Sequence, residues 1–231
     1  MSSKPKKCLS LNCKDLGEIK KEIKEYLNYC DMVELCLDKM NGIETSTYRE
    51  FSRFLSEMRF LTFGKKLIVK YRGEDEVTNR ILRWSMGIVN YIDIEYNNPK
   101  RDELILEAKF RMTKVILSHH DYEKMMERDE IAHLFLLMER TKADILKICC
   151  MANNEKDKYE IMNGALKYSS LKGSKDIIAI AMGEFGKETR VCMGDFGGKI
   201  TYAYGKSSTA PGQFDIVTLS KYLEDYYGQN N

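Results

Sequence analysis

Eight short apolar runs recur along the chain: KCLSLN, DMVELCL, KLIVKY, YIDIEY, KVILSH, ADILKIC, DIIAIAM and KITYAY. Each is rich in Ile, Val, Leu or Tyr, and several are almost continuously apolar. A strand with one wet face would alternate, so near-continuous runs imply strands buried on both faces. Helical spacing fills the gaps between them. Leu16, Ile19, Ile23 and Leu27 fall at i, i+3, i+7 and i+11 among lysines and glutamates. Thr47-x-x-Glu50 forms a capping-box pattern and is followed by Phe51, Phe54, Leu55 and Met58 on one face. Residues 129–142 and 155–170 look similar, and Val217 to Tyr227 closes the chain. Strands that alternate with helices build a parallel sheet. Eight such units over about 220 residues predict an α/β fold, a (β/α)8 TIM barrel. It would be a single domain over residues 1–231, with an ordered core over about 7–227. An open doubly wound sheet would carry a glycine-rich phosphate turn after its first strand, and LNCKDLGE is no such turn.

Composition narrows the function classes. In a chain of 231 residues, a 43% apolar content supplies a sizeable core for one large domain. Charged residues reach 31%, but the net charge is only +2, without the basic excess of a nucleic-acid or membrane-surface protein. No apolar run approaches the ~18 residues of a bilayer span. Met1 to Lys7 is polar and lysine-rich, and the KCLSLN run is too short for a signal sequence. The seven cysteines show no zinc-like spacing, and Cys149 beside Cys150 is a poor arrangement for a bridge. A reduced, cytoplasmic compartment is expected, with thiols serving as small core residues and no metal site.

In a parallel barrel the catalytic groups lie at the carboxyl ends of the strands. Those positions give Glu34 and Asp38 from the second run, Arg72 from the third, and Asp93 and Glu95 from the fourth. The fifth gives His119 and His120, two of only three histidines; Arg190 follows the seventh, and SSTAPGQ follows the eighth. Lys147 stands inside the sixth run, between Leu146 and Ile148. Burying an ammonium is costly, and burial together with nearby cations is expected to lower its pKa from ~10.4 toward neutrality. A neutral amine can attack a carbonyl to form a Schiff base, which acidifies the adjacent carbon. A neutral imidazole is well matched to take that proton. Lysine and histidine at adjacent strand ends therefore point to elimination or to aldol cleavage. Arg190 can clamp a carboxylate, and Thr209 and Gln213 can contact hydroxyls.

With these residues assembled, the chain resembles the type I 3-dehydroquinate dehydratase family. The resemblance rests on VELCLD, KYRGEDE, YIDIEY, ILSHHDYE, ADILKICCMA, IAMGEFGKETRV and the TAPGQ turn. It implies a (β/α)8 barrel, often a homodimer, that needs no metal or organic cofactor. The implied activity is that of a lyase dehydrating 3-dehydroquinate to 3-dehydroshikimate through a lysine imine in the shikimate pathway. It further implies that Lys147 forms the imine and that His120, directly before Asp121, is the acid/base, with His119 a neighbour. Glu34, Arg72, Arg190, Thr209 and Gln213 fall on substrate-binding positions, with Thr209 where serine is usual.

Two departures stand out. The family pattern Glu-x-Arg-x-Asp on the second strand reads Glu34-Leu35-Cys36-Leu37-Asp38 here, so one cation is missing. Without it, Glu34 is expected to lean on Arg72. The segment after Arg72 is short, and Glu74 and Glu76 both compete to be the carboxylate supporting the catalytic histidine. Two other readings remain: a class I aldolase-type barrel with the same imine chemistry, and a ligand-binding relative without turnover.

Overall fold

The computed structural model describes residues 3–12 and 14–228. Its strands are β1 (Lys6–Leu11), β2 (Met32–Cys36), β3 (Lys66–Lys70), β4 (Tyr91–Glu95), β5 (Lys114–Asp121), β6 (Ile145–Met151), β7 (Asp176–Met182) and β8 (Ile200–Tyr204). They form one parallel sheet in the order β7-β6-β5-β4-β3-β2-β1-β8. Because β8 pairs with β1 along Lys6 to Ser10, the sheet curls into a barrel. The last joint, between β7 and β8, is narrower: the Lys199 amide donates to the Ile177 carbonyl at 2.9 Å beside an Ile177–Gly198 bridge. The expected fold class is the observed one.

Helices α1 (Leu16–Tyr26), α2 (Tyr48–Leu61), α3 (Asp75–Ser85), α4 (Arg101–Phe110), α5 (Arg128–Glu139) and α6 (Asp157–Ser169) connect the strands, and α7 (Ile216–Gly228) follows β8. The capping box forms at α2: the Glu50 amide donates to Thr47 Oγ1 at 3.3 Å, and the Thr47 amide donates to Glu50 Oε2 at 2.8 Å. Such a cap contributes about 1 kcal/mol, and it aims Phe51, Phe54, Leu55 and Met58 at the barrel wall, where all four are buried. After β7 the connection contains short 3-10 segments, Glu184–Arg190 and Cys192–Phe196, in place of an α-helix. Gly186 explains part of this tight path, since a Cβ there would meet the Ala181 carbonyl oxygen at 2.3 Å.

Strand period two divides each run between two environments. Val33, Leu35, Leu67, Val69, Ile92, Ile94, Leu146 and Ile148 are fully buried and belong to the hydrophobic core. The alternate positions (Ser10, Glu34, Asp93, Ser118 and Lys147) are also buried, yet polar. Burying so many polar groups is costly, and most of them pair with one another, although among the described residues Glu34 Oε2 has no hydrogen-bond partner. Among the described residues no helix is long and apolar enough to cross a membrane.

Candidate active site

Sheet register brings the polar positions together. Ser10 on β1 lies beside Glu34 on β2, Cys36 beside Lys70 on β3, Lys70 beside Asp93 on β4, and Ser118 on β5 beside Lys147 on β6. A cavity at the carboxyl end is lined by Ser10, Glu34, Lys70, His120, Lys147 and Cys149, and by Arg190, Tyr202, Thr209 and Gln213.

Lys147 sits at its base with a side chain only 4% exposed. Its Nζ lies 3.0 Å from Asp93 Oδ2, 3.7 Å from Glu34 Oε2 and 4.3 Å from the centre of the Tyr202 ring. Burial pushes the ammonium toward deprotonation, but Asp93, Tyr202 and Glu34 together outweigh it and hold the pKa well above the ordinary lysine value. This corrects the expectation of a lysine tuned toward neutrality: the free protein stores the amine as a paired ammonium. For Asp93, burial is again opposed, by Lys147 and then Lys70, and the net effect lowers its pKa. Ser118 Oγ donates to Asp93 Oδ1 at 2.5 Å. Asp93 and Tyr202 thus join the candidate site without a role having been assigned to either from the sequence. Asp93 was visible there only as a strand-end acid, and no local pattern marks Tyr202.

The pleat separates the two histidines. His120 joins Ser118 on the barrel interior and lines the cavity, whereas His119 falls on the other face of β5. The His120 imidazole is almost fully buried, and its Nδ1 lies 2.9 Å from Glu95 Oε1. Desolvation, followed by the charges of Lys70, Arg72 and Lys147, holds its pKa well below the ordinary histidine value. It is therefore a neutral base. The tautomer that leaves Nε2 free requires Nδ1–H to donate, and of the groups at Nδ1 only Glu95 can accept.

Three sequence expectations are revised here. Glu74 and Glu76 are exposed at the start of α3, and Glu76 lines an outer groove with Trp84 and Lys100. The carboxylate that reaches His120 is Glu95, because it leaves the end of β4 directly beside β5. Arg72 stands outside the cavity wall, with its guanidinium donating to Glu95 and to Tyr122 Oη and lying against His120 Nδ1, whose proton goes to Glu95. Nor does Glu34 lean on Arg72. Ser10 Oγ donates to Glu34 Oε1 at 3.0 Å, and Cys36 Sγ lies 3.4 Å from the same oxygen.

Arg190 is 1% exposed and is held by main-chain carbonyls: Nε donates to Gly212 at 3.0 Å and NH2 to Pro211 at 3.1 Å. Among the described residues no carboxylate pairs with it, and burial pulls its pKa down to about 10. The TAPGQ turn is tied to itself, since Gln213 Oε1 accepts from the Thr209 amide at 2.8 Å and the Ala210 amide at 3.1 Å. Thr209 Oγ1 bridges to Ser10 Oγ at 3.0 Å. The turn thus occupies Gln213 Oε1 and leaves the amide nitrogen of this cavity-lining residue as its donor.

An eight-stranded parallel barrel with buried, mutually paired polar groups at its carboxyl end defines an enzyme class. The site is that of a barrel enzyme built around an interior lysine. Comparison with known proteins goes further. Residues 7–230 match the type I 3-dehydroquinase family, and the chain belongs to that family. The 3-dehydroquinate dehydratase of Methanococcus maripaludis strain C5 is 33% identical over 225 residues, covering 94% of this chain and 98% of its own. The Staphylococcus saprophyticus enzyme of the same name is 28% identical over 218 residues, covering 87% and 89%. A crystal structure of the type I 3-dehydroquinate dehydratase of Clostridium difficile, with covalently modified comenic acid, superposes with a TM-score of 0.91 at 26% identity, covering 98% of this chain and 94% of that one.

Proposed function

We propose that this protein dehydrates 3-dehydroquinate to 3-dehydroshikimate through an imine on Lys147, with His120 as acid and base. One observation carries the reading: a buried interior lysine shares a cavity with a neutral imidazole and with a buried guanidinium that has no carboxylate partner among the described residues. Family membership and the covalently modified ligand in the Clostridium difficile relative support it. The charges around the cavity fit a single carboxylate as well. Lys70, Arg72, Lys147 and Arg190 oppose Glu34, Asp93 and Glu95, leaving one positive charge in excess.

The chemistry follows from these positions. Lys147 gives up its proton, for which Asp93 at 3.0 Å is the nearest acceptor. The amine adds to the C3 carbonyl, and loss of water forms the iminium. Its positive nitrogen draws electrons from the C2–H bond, and His120 Nε2 takes that proton to leave an enamine. The enamine pushes out the C1 hydroxyl, which leaves as water with the proton carried by His120. Hydrolysis of the product imine returns the free amine, so one water is lost overall. Arg190 and the Gln213 amide hold the C1 carboxylate, while Thr209 and Glu34 meet hydroxyls. Arg72 and Glu95 orient His120 rather than touch substrate. The cytoplasm and a homodimer complete the reading; the free state of the six described cysteines supports the former, and family habit the latter.

The test is chemical trapping. The protein is incubated with 3-dehydroquinate and borohydride, digested and weighed. A stable ligand mass on the peptide containing Lys147 is expected; turnover with no adduct on Lys147 refutes the imine assignment. Sedimentation of the purified protein checks the dimer.

A further inference from the structure

Cys36 stands where the family resemblance implies a strand-two cation, and the neighbouring strand supplies one. Lys70 is the register partner of Cys36, and the same pairing continues to Asp93 on β4. Its side chain lines the cavity. Among the described residues its ammonium makes no ion pair within 4.0 Å and no hydrogen bond, unlike Lys147 beside it. A half-buried ammonium without a partner is costly unless something else fills that role. Its placement suggests what does. In the ring of strands β3 lies four positions from β7, so the end of β3 faces the segment that carries Arg190 across the mouth of the barrel.

We infer that Lys70 is a substrate-binding residue that donates a hydrogen bond to the C4 hydroxyl of 3-dehydroquinate, taking over from the strand-two cation. This rests on the functional reading above. In a six-membered ring C4 stands opposite C1. With the carboxylate on C1 held by Arg190 and the C3 ketone over Lys147, the C4 hydroxyl points at the end of β3. Glu34, the partner of Ser10 on the adjoining strand pair, can accept from the same edge of the ring. The cation has moved one strand sideways, and Cys36 fills the vacated space with its thiol 3.4 Å from Ser10 Oγ.

The experiment compares wild type, Lys70→Met and Lys70→Met/Cys36→Arg by steady-state kinetics, on the pH plateau of each variant. Methionine keeps the chain length and removes the charge. A charge-assisted hydrogen bond predicts a KM rise of roughly ten- to a hundred-fold with kcat within a few-fold. Restoring the strand-two cation in the double variant should recover most of that loss. A Lys70→Met KM within twofold of wild type overturns the inference, as does a fall in kcat at unchanged KM. So does a KM loss that Cys36→Arg leaves unrepaired. A wild-type protein that does not dehydrate 3-dehydroquinate would instead overturn the functional reading itself.

Discussion

Replacing Lys147 with methionine should separate its two roles, chemical and structural. The substitution removes the only ammonium within 4 Å of Asp93 and Glu34 among the described residues, and those side chains are 1% and 2% exposed. Ser118 still donates to Asp93 and Ser10 to Glu34, so each carboxylate keeps one neutral partner. Breaking a buried ion pair by removing one member costs about 3–5 kcal/mol. For a domain of this size each 1 kcal/mol moves Tm by roughly 2–4 °C, so a fall of about 6–20 °C follows. The pH dependence has a definite sign. With Lys147 gone, burial dominates at Asp93 and raises its folded pKa above the unfolded value. The native state then binds more protons than the unfolded chain, and the variant's deficit should shrink as pH falls toward the acid range. Asp93→Asn added to Lys147→Met should also recover stability while leaving the protein inactive. Urea unfolding followed by circular dichroism at pH 8 and pH 5 reads these effects, with borohydride trapping run alongside. An unchanged midpoint for Lys147→Met at pH 8 would refute the argument. A loss that neither acid nor Asp93→Asn relieves would refute it too.

The depressed pKa of His120 places the acid limb of kcat/KM well below the ordinary histidine value, so activity should stay flat as pH falls through ~6.5. Lys70→Met removes the largest charge contribution to that depression and should move the limb upward; a wild-type limb near 6.5 would contradict the buried, neutral imidazole. His120→Ala should abolish elimination yet still permit trapping of substrate on Lys147, whereas His119→Ala should cost little. The opposite ranking in a turnover assay would mean that the wrong imidazole had been chosen. Arg190→Met should raise KM by roughly ten- to a hundred-fold, the scale of a charge-assisted hydrogen bond. Arg72→Met should lower kcat more than it raises KM, because from outside the cavity it holds Glu95, the acceptor of the His120 Nδ1 proton; steady-state kinetics showing the reverse split would return Arg72 to the substrate-binding set.

The alternation of apolar runs with amphipathic stretches already determined the barrel, because strands buried on both faces and joined by helices have few other ways to close. Position at the strand ends also marked Lys147, the His119–His120 pair, Arg190 and the TAPGQ turn, and the family resemblance chose His120 from the pair. These residues are legible because each breaks the chemical character of its run: a lysine between Leu146 and Ile148, or a histidine pair after Ser118. Pairing across strands was not legible. Glu95 rather than Glu74 or Glu76 meets His120 because neighbouring strand ends are closer in space than a loop that departs into α3. Lys147 is a paired ammonium rather than a neutral amine because the barrel sets Asp93 and Glu34 against it from β4 and β2, an opposition that no local stretch contains. Lys70 ends its strand with nothing in the local stretch to distinguish it, and register sets it beside Cys36. Sequence determines which residues break the pattern of their own run; charges and contacts depend on distances between strands, and only the closed barrel fixes those.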